Sequence, residues 1–404
     1  MTLFKYSAST KTGKKVKGQK KVENKTELVD YLKSQNLTLT SSEKKEKKSQ
    51  DLNSFLSKFE RIKLTEKIFF VNNLEVMMRS GFSIGKALDV IAEQTKSKKL
   101  TNILHQLKEN VESGQSFAEA LKEHKKVFGE LFINMIAAGE ASGQLDEVLK
   151  KLKIQMKKDH TLVSKVKGAL TYPIIVVLAM IGVGIAMMVF VIPQLTTVFE
   201  ESGAELPLIT RLLIGLSYFI VANGLWLVIG LVLIVILLFR FKKTKKGQKI
   251  FHKINLKIPI FSPIVKKVNL ARFSRSLHSL LKTDIPIVKS FEIIARVLGN
   301  IYYRNAVNEA AEKLKKGVSV KKSLEKYPDL FTPVILQMIS VGEESGNLDT
   351  ITEEISNFYE EEIDQTMDNL STIIEPVLML LLGAGVAGMA AAIILPIYSL
   401  SEAI

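Results

Sequence analysis

Three long runs without a charged residue constrain the fold of this chain more than any other feature. Residues 168–199, 212–239 and 376–401 contain no Asp, Glu, Lys or Arg over 32, 28 and 26 positions. About 20 apolar residues of α-helix cross the roughly 30 Å hydrocarbon core of a bilayer. Buried helices of soluble proteins are rarely this long without a charge. The sequence therefore predicts three transmembrane helices.

Basic residues flank these runs unevenly, which predicts the orientation of the chain. Seven lysines lie between positions 150 and 167, and RFKKTKKGQK follows the second run, whereas the loop 194–211 carries three Glu and one Arg. Because Lys and Arg are retained on the cytoplasmic side, the N-terminus and the block 240–374 are expected to be cytoplasmic and the C-terminus extracytoplasmic. The N-terminus has no apolar run, so no cleaved signal peptide is expected.

The chain repeats itself at a spacing of 203 residues. GEASGQLD at 139–146 recurs as GEESGNLD at 342–349, and Pro173 and Pro376 stand at matching positions where the first and third apolar runs begin. One unit, a cytoplasmic domain followed by a membrane span, therefore occurs twice. Both copies have the same orientation because the second span returns the chain to the cytoplasm.

Each repeated domain has the apolar spacing of amphipathic helices, as in TEKIFFVNNLEVMMRS. About six helices are expected per copy, and the last one, from Leu145 or Leu348, is expected to continue into the span. The predicted fold class is an all-α membrane protein with two repeated cytoplasmic six-helix bundles, three transmembrane helices and a small N-terminal module.

Residues 1–57 suggest a short hairpin with a small helix, and SSEKKEKKSQD at 41–51 suggests a flexible charged linker. The predicted segments are the N-terminal cytoplasmic module and linker 1–57, repeat 1 at 58–168, transmembrane helix 1 at 169–193, an extracytoplasmic loop at 194–211, transmembrane helix 2 at 212–239, a basic cytoplasmic linker at 240–268, repeat 2 at 269–374, transmembrane helix 3 at 375–398 and an extracytoplasmic C-terminus at 399–404.

The repeated GExSGxLD phrase allows two interpretations. In the first it is a corner between helices, in which Gly143 supplies a turn residue and Asp146 favours the first turn of the next helix. That interpretation explains Glu140 and Glu343 less well, since neither stands at a helix start. In the second interpretation the phrase contacts a partner or couples its motion. The candidate partner-binding or coupling residues are Gly139, Glu140, Ser142, Gly143, Leu145, Asp146, Gly342, Glu343, Ser345, Gly346, Leu348 and Asp349.

No catalytic, cofactor-binding or metal-binding residue is predicted. The chain has no G-x-x-x-x-G-K-[ST] phosphate loop, its five histidines are scattered, and it has no cysteine for thiol catalysis or zinc. The alternative of a membrane transporter or channel subunit is disfavoured, because a transporter needs ionisable residues at membrane depth. The formal net charge of +15 comes largely from lysines beside the spans, which favours anionic lipid rather than nucleic acid as a partner.

The duplicated phrase, in register with the spans, resembles the inner-membrane platform proteins of type IV pilus and type II secretion machines, the PilC/GspF family. The segments 74–84 and 277–287 and the opening Phe4, Tyr6 and Ala8 add to the resemblance. The family's usual L-x-A-G-[VI]-P is replaced here by MRSGFS in copy one and LKTDIP in copy two.

The resemblance implies a non-enzymatic scaffold without cofactors that oligomerises in the cytoplasmic (inner) membrane. The partners it implies are a hexameric cytoplasmic assembly ATPase, prepilin or pseudopilin subunits, and other inner-membrane assembly proteins. Motion from ATP hydrolysis would pass through the platform to lift subunits out of the bilayer.

The helices that lead into spans 1 and 3 have opposite charge. Residues 145–167 hold seven lysines and three acids, a net of +4, whereas 348–370 hold eight acids and no Lys or Arg, a net of −8. We expect the acidic helix to face a basic partner, either the lysine helix of the same or a neighbouring protomer or the ATPase. Small residues of span 3 are expected to allow close helix packing. The candidate oligomer or partner contacts are Glu353, Glu360, Glu361, Lys150, Lys153, Lys157, Glu375 and Gly388.

Overall fold

The structure is a computed structural model that describes residues 2–10, 15–22, 25–35, 37–45, 62–194, 196, 208–259 and 261–402. The chain divides into two compact units. The smaller consists of Met1–Ile62 and Ser97–Lys99, and the larger of Lys63–Lys96 and Leu100–Ile404.

The small N-terminal unit is a three-stranded antiparallel sheet with one helix. Ala8, Val22, Leu28 and Leu32 form its buried core. The expected hairpin and helix are present, but the expected linker at 41–51 is wrong over residues 41–45, which belong to the third strand; residues 46–51 lie outside the described part. A two-stranded hairpin alone is only marginally stable, and the third strand and the helix stabilise it by covering its apolar residues. The elements are β1 (Thr2–Thr10), β2 (Lys15–Val22), α1 (Lys25–Ser34) and β3 (Leu37–Lys45), in the sheet order β2-β1-β3.

The first repeat contains the six expected helices and one additional single turn. Apart from the single turn, each helix buries apolar residues on one face. In this core the ring centroid of Phe128 lies 5.6 Å from that of Phe70 and 5.3 Å from that of Phe132. The helices are α2 (Leu64–Arg79), α3 (Ile84–Gln94), α4 (Lys98–Glu112), α5 (Phe117–Glu123), the single turn α6 (Lys125–Phe128), α7 (Glu130–Ser142) and α8 (Leu145–Ala186).

The second repeat has the same six helices in the same order. Phe273 and Phe331, the counterparts of Phe70 and Phe128, again meet in the core with ring centroids 5.4 Å apart. Tyr303 packs on Phe331 and donates a hydrogen bond of 2.7 Å to the backbone carbonyl of Leu330. The helices are α11 (Phe261–Leu281), α12 (Ile287–Val297), α13 (Ile301–Leu314), α14 (Val320–Leu324), α15 (Pro333–Glu344) and α16 (Leu348–Glu402).

Three helices of the described chain are long and apolar enough to cross a membrane: Leu145–Gln194, Thr210–Lys243 and Leu348–Ala391. The first and third begin in the repeats, so α8 and α16 continue past Pro173 and Pro376 into the spans, as expected. These findings confirm the predicted fold class.

The spans and the segments that connect them contain further helical elements. Span 1 contains a π-helical turn, Met187–Val191, and span 2 is α9 (Leu208–Lys243). The expected basic linker 240–268 is largely helical: it holds the end of α9, then α10 (Lys245–Lys257), then the start of α11. The loop 194–211 lies almost entirely outside the described residues, and α16 extends to Glu402.

Candidate coupling site

The GExSGxLD phrase forms the corner between the fifth helix of each repeat and the helix that enters the membrane. Gly143 and Gly346 have φ of 67° and 72°, a conformation that L side chains rarely adopt. The backbone N–H of Gly143 donates to the carbonyl of Glu140 and that of Gln144 to the carbonyl of Gly139, at 3.4 and 2.8 Å. This pair of bonds is a Schellman motif, which ends α7 and turns the chain into α8.

The first glycine of the phrase allows two helices to approach closely. A Cβ added at Gly139 would lie 2.7 Å from Cγ2 of Val148, and one at Gly342 would lie 3.0 Å from Cβ of Ile351. Any side chain there would push the membrane-entering helix away from the repeat. The phrase therefore fixes how α8 and α16 leave their domains.

The two glutamates of the phrase hold a second helix. The carboxylate of Glu140 accepts hydrogen bonds from the backbone N–H groups of Phe117 and Ala118, at 2.7 and 3.0 Å. Glu343 does the same for Val320 and Lys321, at 2.8 and 3.4 Å. Helix N-termini leave such N–H groups without an intrahelical partner and favour negative charge. Each glutamate thus ties the start of α5 or α14 to the corner, across 22 or 23 residues of sequence.

The other residues of the phrase support the same corner. Leu145 and Leu348 are buried, with 8% and 9% of their surface exposed, and Asp146 and Asp349 lie in the first turns of α8 and α16. The hydroxyl of Ser142 donates to the carbonyl of Gly139, at 3.4 Å. This geometry accounts for the phrase as a structural corner. Its predicted role in partner binding or coupling stays a prediction.

The lysine-rich helix α8 and the acidic helix α16 lie against each other within one chain. Lys158 pairs with Glu360 at 3.3 Å, and Lys165 pairs with Asp364 at 2.6 Å. These pairs agree with the same-protomer alternative, and contacts of the acidic helix with a neighbouring protomer or the ATPase stay a prediction.

The remaining charged candidates have varied surroundings. Glu353 lies 3.9 Å from the ring of His278, whereas Lys153 pairs with the buried Glu75 of its own repeat, at 2.7 Å. Three further candidates are exposed to solvent: Lys150, Lys157 and Glu361. Contacts of all these residues with another protomer stay a prediction.

Arg275 bridges the two charged helices and was not predicted. Its guanidinium donates to Asp159 of α8 at 3.0 Å and to Glu360 of α16 at 2.6 Å, and only 6% of its side chain is exposed. The hydroxyl of Ser356 also donates to Glu360, at 2.9 Å. A buried guanidinium needs such partners, because an unpaired charge in this position is strongly unfavourable.

A buried polar contact continues this bridge towards the interior. The Gln155 amide donates to the Ser276 hydroxyl at 3.3 Å and accepts from the Ser279 hydroxyl at 2.6 Å. A cavity of about 120 Å³ lies beside these groups, lined by residues of α8, α11 and α16. We refer to Gln155, Asp159, Arg275, Ser276, Ser279 and Glu360 as the inter-repeat seam.

A second ionic contact joins the repeats at the edge of a larger cleft of about 460 Å³. Glu130 at the start of α7 pairs with Arg296 of α12 at 3.1 Å and with Lys125. Burial acts to raise the pKa of Glu130, but hydrogen bonds and charges from Lys125 and Arg296 together outweigh it and lower that pKa. In the same cleft, burial lowers the pKa of Lys67.

The repeat itself carries the signal that could have located the seam. Val71 and Val76 of α2 correspond to Ser274 and Ser279 of α11, at the spacing of 203 residues, and all but Val76 are buried. A buried serine in place of valine indicates a polar partner, which Ser279 has in Gln155. The Ser274 hydroxyl has no hydrogen-bond partner among the described residues. Arg275 stands beside them where the first copy has Asn72.

The two candidate contact residues of span 3, Glu375 and Gly388, are exposed on the surface of the single chain. Glu375 is exposed, and a Cβ added at Gly388 would meet no atom within 4 Å. Close packing of Gly388 against another protomer stays a prediction. Spans 1 and 2 do contact each other, because the Ser217 hydroxyl donates to the Met188 carbonyl within the π-helical turn.

Among the described residues, no group of three or more His, Asp or Glu side chains is placed to hold a metal ion. The contacts observed at the corner and the seam are hydrogen bonds and ion pairs. These contacts define how two helical domains and their membrane helices are held together.

Two copies of one helical domain, each leading into a membrane span through a continuous helix, define a membrane protein built by tandem duplication. The family model described as "Type II secretion system (T2SS), protein F" matches residues 70–193 and 273–396, two segments offset by the same 203 positions. The chain belongs to this family.

Curated relatives extend the similarity over nearly the whole chain. The type IV pilus assembly protein PilC of Myxococcus xanthus is 33% identical over 402 residues, which cover 99% of this chain and 95% of the relative. PilC of Thermus thermophilus is 34% identical, with 83% of each chain covered. The type II secretion system protein F of Aeromonas hydrophila is 30% identical, with 92% of this chain and 96% of the relative covered.

Proposed function

We propose that this protein is the non-enzymatic membrane platform of a type IV pilus or type II secretion machine. In this role it couples a hexameric cytoplasmic assembly ATPase to the insertion of pilin or pseudopilin subunits into a growing fibre. The observation that carries the proposal is the duplicated unit, which the family model matches twice in the same register. The relatives named for pilus assembly and for type II secretion support the same role.

The proposed topology places both repeats in the cytoplasm of an inner-membrane protein, with the C-terminus outside. Its support is the distribution of basic residues around the three spans. Reporter fusions test it. Alkaline phosphatase fused after Glu402 should be active, whereas the same enzyme fused after Lys257 should be inactive. Activity at Lys257 would contradict the topology.

The proposed coupling route runs through α8 and α16. Each helix is anchored in its repeat by a GExSGxLD corner and continues into a span, so a shift of the repeat moves the membrane helix with it. The inter-repeat seam joins the two helices, and the ion pairs Lys158–Glu360 and Lys165–Asp364 continue that contact towards the membrane. An ATPase that displaces one repeat would thereby move both spans.

Deletion of the gene in its source organism tests the proposal. Loss of surface fibres or of secreted substrate is expected, with restoration by the full-length gene. The purified full-length protein should also bind the assembly ATPase encoded in the same genome and should show no ATP hydrolysis of its own. Normal fibres and secretion in the deletion strain would contradict the proposed function.

A further inference from the structure

Helix α10 follows span 2 after a sharp turn at a single residue. Thr244 is extended, with ψ of 152°, and its hydroxyl accepts a hydrogen bond of 3.0 Å from the N–H of Gly247. A Cβ at Gly247 would collide with the backbone carbonyl of Phe241, so only glycine permits this close return of the chain. The turn fixes the start of α10 next to the basic end of the span.

One side of α10 is attached to the second repeat. The ring Nδ1 of His252 accepts a hydrogen bond of 3.0 Å from the backbone N–H of Ile301, at the start of α13. The Asn300 amide donates to the backbone carbonyl of His252 at 3.5 Å. The opposite side of the helix is therefore turned away from the repeat.

The side turned away carries an exposed apolar stripe. Ile250, Ile254 and Ile258 are 48%, 45% and 36% exposed, and their spacing of four residues places them one above the other. Isoleucines exposed in a row are uncommon on a surface that meets only water. We therefore expect an apolar surface to pack against this stripe.

A row of lysines runs alongside the stripe. Three of them precede an isoleucine by one residue and so lie on the adjacent face of the helix, and Lys246 lies one turn before Ile250. Residues 240–257 hold eight basic side chains, and no Asp or Glu occurs between 240 and 283. The lysines of this row are Lys246, Lys249, Lys253 and Lys257.

An apolar stripe beside a lysine row matches a helix that lies in the interface of a membrane with anionic headgroups. The position of α10 agrees, since its 13 residues extend only about 20 Å from the end of a membrane span. A second copy of the chain is a poorer cover. Its acidic helix already pairs Glu360, Glu362 and Asp364 with basic residues of its own chain.

We propose that α10 is a membrane-surface helix, whose isoleucine stripe enters the interface of an anionic phospholipid bilayer while its lysines contact the headgroups. This contact anchors the second repeat to the membrane through His252 and α13. It is independent of any ATPase or pilin partner.

The chain contains no cysteine, so a single spin label can be placed without altering other sites. Full-length Ile254→Cys is labelled and reconstituted in nanodiscs of phosphatidylcholine alone or with added phosphatidylglycerol. Accessibility to oxygen and to a water-soluble nickel complex is then measured. Val341→Cys is the matched control, because Val341 is a β-branched residue with 50% exposure on a helix of the second repeat, to which α10 is attached. Ile250→Cys provides a second position if the first variant is poorly folded.

In anionic nanodiscs the label at 254 should favour oxygen over nickel, and the label at 341 should favour nickel. Combining Lys249→Gln, Lys253→Gln and Lys257→Gln should lower the equilibrium constant for docking of α10 on the membrane, by roughly fivefold per lysine and on the order of a hundredfold together. A label at 254 as accessible to nickel as the control overturns the proposal. So does a label shielded from both probes and broadened by a neighbouring copy, or equal insertion in phosphatidylcholine alone.

Discussion

Replacement of Arg275 by methionine removes the central charge of the inter-repeat seam while keeping a long side chain. Asp159 and Glu360 would then lose the guanidinium that contacts them at 3.0 and 2.6 Å. Loss of one partner from a fully buried ion pair costs about 3–5 kcal/mol. Here the two carboxylates keep 32% and 21% exposure, so water screens part of the cost, and we expect a destabilisation of about 2 kcal/mol.

Thermal unfolding of the full-length protein in detergent, followed by circular dichroism, measures this loss. Arg272→Met is the matched control on the same helix, since Arg272 makes a looser contact with Asp159, at 3.6 Å, and is 28% exposed. Its expected cost is below about 1 kcal/mol. A triple variant with Arg275→Met, Asp159→Asn and Glu360→Gln should recover most of the lost stability, because all three charges disappear together.

Two results would refute this reasoning. One is an unfolding midpoint for Arg275→Met no lower than that of Arg272→Met. The other is a triple variant no more stable than the single one, since the cost would then come from packing rather than from unpaired carboxylates. If the triple variant is stable but assembles fewer fibres, the seam contributes to coupling as well as to folding.

Three further variants test separate features of the repeats. Glu140→Ala should destabilise the first repeat by about 1–2 kcal/mol, because two N–H groups at the start of a helix lose their acceptor. Glu343→Ala should destabilise the second repeat by less, because one of the two hydrogen bonds that Glu343 accepts is longer, at 3.4 Å. Urea unfolding measures both effects, and equal stability of both variants and wild type would contradict this. Asp284 has φ of 56°, so Asp284→Gly should raise the free energy of unfolding by about 0.5–1 kcal/mol, and a lower unfolding midpoint would argue against strain there. Burial, followed by the charges of Arg304 and Lys242, lowers the pKa of His252, so its contribution to stability is complete above about pH 6.5 and is lost as the pH falls through the lowered value. The protection factors of the α13 amides, which correct for the slower intrinsic exchange at lower pH, should therefore fall on acidification in wild type and change less with pH in His252→Asn. Identical pH profiles of the protection factors would exclude His252 as the cause.

Much of the fold follows from local pattern, which is why the sequence predicts it. The runs without charged residues predict the spans, and the recurrence of motifs at a spacing of 203 residues predicts the duplication. Gly143 and Asp146 carry the local chemistry of a corner, and the structure has that corner.

The features that sequence patterns missed depend on contacts between distant segments. Arg275 meets Asp159 and Glu360 across 116 and 85 residues, and no periodicity records such pairs. Glu140 likewise finds its backbone partners 22 and 23 residues earlier in the chain. The third strand of the N-terminal unit was missed for another reason: LTLTSSEKK is polar and ends in charges, so the alternation typical of a half-buried strand is weak.

The continuity of α16 has a mechanical consequence. From Glu360 in the seam to Glu402 at its end, the helix runs 42 residues, a contour of about 63 Å. A tilt of about 5° at the seam would displace the far end by about 5 Å, close to the pitch of one helical turn. A small rearrangement of side chains between the repeats would thus be amplified into a step large enough to change which residues of the span face a neighbouring helix.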